Sequence, residues 1–486
     1  MSPTLIAFIV CTYFVVLLVI TYFTSRNATN HTFFLGNKRS PWYVVAFGMI
    51  GASLSGVTFM SVPGDVMNKQ FTYMMMVFGF LAGYTVIATV LMPLYYRLNL
   101  TSIYSYLEGR FGNSTYKTGA SFFLLSRIIG ASLRMFIVVN VLQIFVFDAW
   151  NIPFFVTIII FIISILIYTF KGGIRTIIWT DTLQTTFMLL AVVLSIVFIS
   201  QELHLSFGGL ITKVFQSDYS KILDTDWSSK QFFLKQFFSG MFIAITMTGL
   251  DQEMMQKNLS CRSLKDAQKN MFTFSFVLVF VNLMFLVLGA ILVFYANSRG
   301  ISVHNTDDLF PTIAIQKLIP VAGIVFVVGL ISAAYPSADG ALTSLTTSFC
   351  IDILGLNKFS VAEDKKIRIR YLVHLSFALV LMICILIIRS INDEAIIQTL
   401  YKIAGYTYGP LLGLYAFGMF TKWQVKDKWI PMVAILSPIV CFVLSRYSAE
   451  LFWGYKIGFE LIILNGGLTF LGLWLFRKNN SKSIIA

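Results

Sequence analysis

The sequence predicts an all-α, polytopic membrane protein with about thirteen transmembrane helices. Apolar residues make up 57% of the 486 residues and charged residues only 12%, whereas a typical soluble domain carries roughly 25% charged residues. Apolar runs recur from Leu5 to Phe476, and no polar block between them is long enough to form a separate soluble domain. We therefore expect a single membrane domain.

The thirteen predicted segments each have the about 20 mostly apolar residues that a bilayer crossing needs. They cover about residues 3–24, 42–63, 72–96, 119–147, 153–170, 177–200, 232–254, 271–296, 318–350, 371–388, 395–420, 429–445 and 457–476. The run 318–350 exceeds one perpendicular crossing, so it must tilt, extend beyond the bilayer or lose a turn. The first run has no basic stretch before it and no cleavage site after it, which indicates a retained helix rather than a signal peptide.

The formal charge of +14 lies in short loops that alternate between basic and nearly uncharged. This is the positive-inside pattern of membrane proteins and not the basic face of a nucleic-acid binder. The basic loops are predicted to be cytoplasmic, which places the N-terminus outside and the C-terminus inside. The five cysteines and four histidines show no metal-ligand or disulfide spacing, so we expect neither kind of site.

The second segment, 48–63, holds three glycines and four hydroxyl side chains and ends in proline. Glycine costs about 1 kcal/mol in a helix interior, and where such a helix unwinds its backbone carbonyls become free to bind a cation. Close helix packing through small residues is the alternative. The hydroxyls of Ser53, Ser55 and Thr58 favour a binding site, because polar groups at membrane depth are costly.

Asp181 lies about two helical turns beyond Arg175, which marks the cytoplasmic edge of its segment. A carboxylate at this depth needs a partner, and a sodium ion or a buried arginine would serve. A purely structural salt bridge is the alternative.

The ninth segment carries hydroxyls along residues 332–348, with Pro336 and Asp339 among them. Pro336 removes one helix hydrogen bond and leaves upstream carbonyl oxygen atoms under-satisfied. Carbonyls, hydroxyls and carboxylates are the ligands that hard cations prefer. Back-bonding of serine and threonine within the helix is an alternative, but it does not account for Asp339.

Arg127 and Arg134 stand seven residues apart in one segment, so they fall on nearly the same helix face. Arg127 is expected to reach the cytoplasmic interface. The deeper Arg134 is suited either to clamp the carboxylate of a solute or to pair with an acid of the protein. Polar runs at 249–257 and 405–410 interrupt two further segments and predict hinges, gates or simple kinks.

Five motifs, in this order, resemble the sodium:solute symporter family. They are SLSGVTFMSVP at 53–63, GG-x5-WTD-x2-Q at 172–184, DQ-x3-QK at 251–257, the small and hydroxyl-rich run at 333–344 and GPLLGLYAFGMFTK at 409–422. The resemblance covers nearly the whole chain. It implies a leucine-transporter-like fold of two inverted five-helix repeats.

On this resemblance the chain divides into four parts. They are a peripheral first helix in 1–30, the first repeat in 42–200, the second repeat in 231–421, and two C-terminal helices in 428–477. The first helix of each repeat would be broken, at about Gly51 to Ser55 and about Ala244 to Gly249.

The resemblance also implies sodium as the coupling ion. The matching ligands are the carbonyls of Gly51, Leu54, Ala333 and Pro336 and the hydroxyl of Ser337. Pro336 departs from the family, whose members often have serine there. A second sodium site would fall at Asp181, Asp339 and Gly340, where the last two replace the serines of members that bind a second ion.

The stretch around residues 54–63 resembles bacterial sialic acid symporters of this family, in which hydroxyls and an arginine bind the carboxylate of the sugar acid. The matching residues are Ser53, Ser55, Thr58 and Arg134, and Val77 stands where those members place a glutamine.

The function that this implies is sodium-driven import of a small polar solute, a sialic acid or related sugar acid, by alternating access. The carrier would act as a monomer in the lipid bilayer of a bacterial inner membrane. Alternatives are a symporter for a neutral sugar or another monocarboxylate, and a membrane-embedded enzyme that uses Asp181 and Asp339. No nucleophile accompanies that pair of acids, so an enzyme is not expected.

Overall fold

Helices account for nearly all of the chain that the structure describes. The computed structural model describes residues 2–24, 40–356, 362–391 and 395–478. In chain order the helices are α1 Pro3–Thr24, α2 Trp42–Ser53, α3 Gly56–Lys69, α4 Tyr73–Arg97, α5 Ser105–Arg110, α6 Asn113–Trp150, α7 Phe154–Ile167, α8 Thr176–Glu202, α9 Phe207–Gln216, α10 Phe233–Gly249, α11 Gln252–Leu259, α12 Leu264–Arg299, α13 Pro320–Ile353, α14 Glu363–Ile391, α15 Ile396–Thr407, α16 Gly409–Phe420, α17 Ile430–Arg446, α18 Ser448–Leu451 and α19 Leu461–Leu475. β-Structure in these ranges is limited to isolated bridges.

The predicted all-helical membrane fold is confirmed. The described residues contain eight helices that are long and apolar enough to cross a membrane, two bent helix pairs and three shorter apolar helices. Twelve of the thirteen predicted segments each overlap one of these, and the segment 395–420 covers both α15 and the shorter apolar helix α16. Helix α13 has 34 residues and a length of about 51 Å, so it extends beyond the about 30 Å hydrocarbon core of a bilayer.

Helices α7 and α8 lie in one stretch of helical residues, Phe154–Glu202, yet this stretch is not one straight helix. The ring of Phe161 lies 5.4 Å from that of Tyr335, which lies 6.5 Å from Tyr13, which in turn lies 5.9 Å from Phe187. A straight helix would separate residues 161 and 187 by about 39 Å, which is incompatible with these contacts. The two parts therefore form two separate apolar helices.

Helices α4 and α10 approach each other through glycines. A Cβ atom at Gly79 would meet the carbonyl oxygen of Phe237, and one at Gly240 would meet the carbonyl oxygen of Met76. Small residues at such crossings let two backbones come close where the lipid supplies no hydrophobic force between helices.

Two breaks bend the helices near the centre of the fold. The bend between α2 and α3 is 57°, at Leu54 and Ser55, and the bend between α10 and α11 is 65°. The helix is already irregular within the predicted stretch, where a π-helix forms at Ile245–Gly249, and the bend follows directly after it, at Leu250 and Asp251. Two tyrosines donate to the carbonyls at this bend. Tyr95 donates to the carbonyl of Gly249 and Tyr104 to that of Leu250, both at 2.8 Å.

We expect Gly240→Ala to destabilise the fold by about 1–3 kcal/mol, because the added methyl group has to displace the backbone of Met76. The matched control is Gly467→Ala on α19, where a Cβ atom meets nothing within 4 Å and where alanine should be neutral or gain up to about 1 kcal/mol. Free energies of unfolding of the detergent-solubilised variants measure both. Equal stability of the two variants would contradict the proposed close crossing.

Candidate cation and solute site

The break between α2 and α3 exposes backbone oxygen atoms. Leu54 has φ −90° and ψ 77°, and Ser55 is extended with φ −72° and ψ 177°. The amide of Leu54 still donates to Ile50 at 2.8 Å, and the amide of Phe59 donates to Ser55 at 3.1 Å. Between these bonds, no donor among the described residues reaches the carbonyls of residues 51–54. These oxygen atoms are available to a cation.

Helix α13, which packs against α2 and α3, carries a buried hydroxyl that has no partner among the described residues. Ser337 is 1% exposed, and its Oγ makes no hydrogen bond within the described part of the chain. Ala333 and Pro336 are also buried on α13, and this helix contacts both α2 and α3. An unsatisfied hydroxyl at membrane depth is costly unless something binds it, so Ser337 fits the donor set of a sodium ion.

The glycines of α2 serve close packing as well as the break. The amide of Gly51 donates to Thr185 Oγ1 on α8 at 3.1 Å, and a Cβ atom at Gly51 would overlap that oxygen. A Cβ atom at Gly48 would lie 3.2 Å from Cβ of Asp181. Close helix packing and free carbonyl oxygen atoms, the two alternatives for this segment, therefore occur together: its glycines in α2 pack against α8, and its carbonyls at the break accept no hydrogen bond from any described residue.

An inner cavity of about 60 Å³ lies beside the break. It is lined by four of the predicted solute-binding residues, Ser53, Ser55, Thr58 and Arg134. The fifth, Val77, is buried on α4 and does not line the cavity. The hydroxyls and the arginine thus meet at one place although the arginine lies on a different helix, α6.

The two arginines of α6 have different surroundings. Arg127 is 4% exposed and is paired with Glu253, and its other guanidinium nitrogen lies 3.8 Å from Asp251. The expectation that Arg127 reaches the membrane interface is therefore wrong, because two buried acids hold it inside. Arg134 has no acid or hydrogen-bond partner among the described residues, and its Nε is buried. Of the two arginines, Arg134 is therefore the one without an acid at ion-pair distance in the described ranges.

A buried ionic chain continues from Arg127 into the neighbouring helices. Lys257 Nζ donates to Asp181 Oδ2 at 2.8 Å and to Glu253 Oε1 at 3.4 Å, and all three side chains are 1% exposed. Gly340 leaves room for the carboxylate of Glu253, because a Cβ atom there would overlap Oε1. The residues predicted for a second sodium therefore lie in or beside this chain, and the partner of Asp181 is a lysine rather than an arginine.

A pair of tyrosines separates the inner cavity from a larger outer one. The hydroxyls of Tyr73 and Tyr401 lie 3.0 Å apart, within hydrogen-bond distance, and both residues line both cavities. The outer cavity has a volume of about 430 Å³. The inner one has room for only a few water molecules, so it would have to widen for a larger solute, and the tyrosine pair lies where the two cavities meet.

Sequence reasoning missed Lys257, Glu253 and the tyrosine pair as members of the site. Glu253 and Lys257 are four residues apart in a polar run at the end of an apolar segment, and that spacing is the signal that could have identified them. No comparable signal exists for Tyr73 and Tyr401, which are 328 residues apart.

The sequence is similar to those of known proteins. The sequence model of the sodium:solute symporter family matches residues 33–426. The sodium/sialic acid symporter SiaT of Proteus mirabilis is 24% identical and covers 93% of this chain and 92% of its own length. The corresponding symporter NanT of Aliivibrio fischeri is 24% identical, with coverage of 95% and 92%. The sodium-dependent multivitamin transporter of Oryctolagus cuniculus is 26% identical, with coverage of 82% and 63%.

A solved structure of an outward-open, substrate-bound Na⁺-coupled sialic acid symporter is also similar. Its TM-score is 0.83 at 21% identity, and the match covers 98% of this chain and 99% of that one. A nucleobase-cation-symport-1 family transporter matches with a TM-score of 0.53 at 12% identity. These likenesses confirm the leucine-transporter-like fold.

We expect Lys257→Met alone to destabilise the protein by about 3–5 kcal/mol, because the carboxylate of Asp181 is left buried without a counter-charge. The double variant Asp181→Asn with Lys257→Met should recover most of this loss, since Glu253 keeps its pairing with Arg127. Free energies of unfolding in a denaturant titration test this.

The matched control for this cycle is Lys366→Met. Its pair with Glu363 is exposed, with side chains 23% and 66% accessible, so a loss below about 1 kcal/mol is expected. A double variant no more stable than Lys257→Met would show that the two residues are not coupled.

Proposed function

The chain belongs to the sodium:solute symporter family, and we propose that its solute is a sugar acid such as a sialic acid. As a member of that family it is a sodium-coupled symporter that works by alternating access, and it is a transporter rather than an enzyme. It is a multi-pass membrane protein.

The observation that carries the proposed solute is the unpaired Arg134 in the inner cavity. A guanidinium in a low-dielectric site that lacks a protein anion is matched by a carboxylate, which its planar fork binds through two parallel hydrogen bonds. The hydroxyls of Ser53, Ser55 and Thr58 beside it suit a ligand rich in hydroxyl groups. Two of the relatives described above are sialic acid symporters by name, which supports the same class of solute.

The proposed sodium site lies between two elements. One is the break between α2 and α3, and the other is the turn of α13 that contains Ser337. Its ligands are the carbonyls of Gly51, Leu54, Ala333 and Pro336 and the hydroxyl of Ser337. The free carbonyls at the break and the unsatisfied Oγ of Ser337 support this set. A sodium ion there would hold α2 against α13 and so shape the adjoining solute cavity, which couples the binding of the two ligands.

We propose one coupling sodium per cycle. A second ion at Asp181, Asp339 and Gly340 would have to compete with the ammonium of Lys257, which already lies 2.8 Å from Asp181. One sodium ion that moves down a potential of 100 mV releases roughly 2.3 kcal/mol. At 1.4 kcal/mol per tenfold, that amounts to a solute gradient of roughly fortyfold.

The proposed topology has the N-terminus outside, the C-terminus in the cytoplasm, and a monomer as the working unit in the plasma membrane. The two repeats would be 42–200 and 231–421, between the first helix and the helices of 428–477. Helix α10 begins at the outer cavity and ends next to the ionic chain. The outer cavity then opens to the exterior, while the ionic chain closes the cytoplasmic side.

We expect Arg134→Gln to lower the kcat/KM for uptake of labelled sialic acid by at least about 100-fold. Truncating one partner of a buried charge pair costs 2–5 kcal/mol. Uptake into proteoliposomes, with and without an inward sodium gradient, measures this. Arg299→Gln is the matched control, because Arg299 is 55% exposed and pairs with Glu202 far from the cavity.

Competition with unlabelled solutes in the same assay separates the candidate substrates. Inhibition by sugar acids alone supports the proposal. Inhibition by neutral sugars, or sodium-driven uptake that Arg134→Gln leaves intact, would overturn it.

We expect Ser337→Ala to raise the sodium concentration for half-maximal thermal stabilisation about tenfold, which corresponds to about 1.4 kcal/mol of lost binding energy. Ser344→Ala is the control on the same helix, because Ser344 already donates to the carbonyl of Ala341 at 3.0 Å. An unchanged sodium response in Ser337→Ala would place the ion elsewhere.

A further inference from the structure

The outer cavity is unusually basic for its place in the fold. Its lining contains Lys69, Lys230, Lys402, Arg446 and Lys456 and a single acid, Asp65. Lys69 is neutralised by Asp65 at 2.8 Å. The other four basic residues are exposed, and none of them makes an ion pair with a residue in the described ranges. Four of the five basic residues of the lining thus have no ion-pair partner in the described ranges.

This concentration of charge is not a consequence of membrane topology. In the proposed orientation these residues face the exterior, where the positive-inside rule leaves loops poor in lysine and arginine. They also come from distant parts of the chain: the segment before α10, helix α15, the last residue of α17 and the segment after α18. The fold therefore brings together, around one cavity, four basic residues that are far apart in the sequence.

The cavity has the size and the position of a binding site that precedes the inner one. At about 430 Å³ it falls within the range of small-molecule pockets. Its floor contains Tyr73 and Tyr401, whose hydroxyls lie 3.0 Å apart and separate it from the cavity of Arg134. A solute on its way to Arg134 has to pass through this space.

We propose that the outer cavity is a collecting site for anionic solutes, in which Lys230, Lys402, Arg446 and Lys456 hold a carboxylate before the tyrosine pair separates. A cleft lined by one sign of charge raises the local concentration of an oppositely charged ligand and speeds its association by 10–10³-fold, and salt weakens this effect. The inference rests on the proposed function only in its choice of a carboxylate as the transported group.

The first test measures the local charge without reference to any substrate. Ser445 lines the cavity, and Ser445→Cys is made in a background where Cys11 and Cys384 are serine. An anionic methanethiosulfonate reagent should modify this cysteine at least about tenfold faster than a cationic one, relative to their rates with a free thiol. The preference should disappear in Lys402→Gln/Arg446→Gln/Lys456→Gln. Equal rates for the two reagents in the unaltered cavity would overturn the proposal.

The second test measures transport. At low ionic strength the triple variant should raise the KM for labelled sialic acid about tenfold with little change in kcat, and added salt should remove the difference. The control, Lys213→Gln/Lys221→Gln/Lys317→Gln, removes the same charge from exposed residues outside the cavity and should change KM less than twofold. Equal effects of the two triple variants on KM would show that general surface charge, and not the charge of the cavity, determines KM, contrary to the proposal.

The two tests fail in different ways. If the wild-type protein does not transport sialic acid but the anionic reagent keeps its advantage at Ser445→Cys, the proposed substrate is wrong and the anion site stands. If transport follows the proposed function but the reagents react equally, the collecting site is wrong and the proposed function stands.

Discussion

Oxygen atoms and charges inside a bilayer must find their partners within the protein, because hydrocarbon offers none. Two helix breaks show how the protein meets this requirement. Tyr95 and Tyr104 donate to the carbonyls freed at the bend after α10, and Asn465 donates to the carbonyls of Gly405 and Tyr406 where α15 ends. At the break between α2 and α3 no described residue donates to the carbonyls of residues 51–54, and Ser337 is one of several buried side chains that also lack a partner in the described ranges.

The same requirement divides the two arginines of α6. Arg127 and Arg134 both line the inner cavity, but the protein supplies acids only to Arg127. A charge that the fold has already neutralised contributes rigidity, whereas one left without a counter-ion is a receptor for an anion from outside. Ion and solute would then be recognised by neighbouring unsatisfied groups, which is a simple physical basis for their coupling.

Most of the fold could be predicted from the sequence, because hydropathy is local information. Segment lengths followed from apolar runs, and the break in α2 followed from glycines and hydroxyls at membrane depth. What could not be predicted depends on partners remote in the chain. Lys257 neutralises an aspartate 76 residues away, and tyrosines of α4 and of the turn before α5 donate to the carbonyls at the second break. The candidate site was predicted residue by residue through a family resemblance, and the structure places its hydroxyls and Arg134 around one cavity.

The ionic chain from Arg127 through Glu253 and Lys257 to Asp181 ties α6, α11 and α8 together. Moving these helices apart requires opposite charges to separate in a medium of low dielectric constant until water arrives. In the proposed topology, such a link would favour the outward-open form of an empty carrier. Uncoupled leakage of sodium into the cell would then be slow, since the ion alone would have to bring about the same separation of charges.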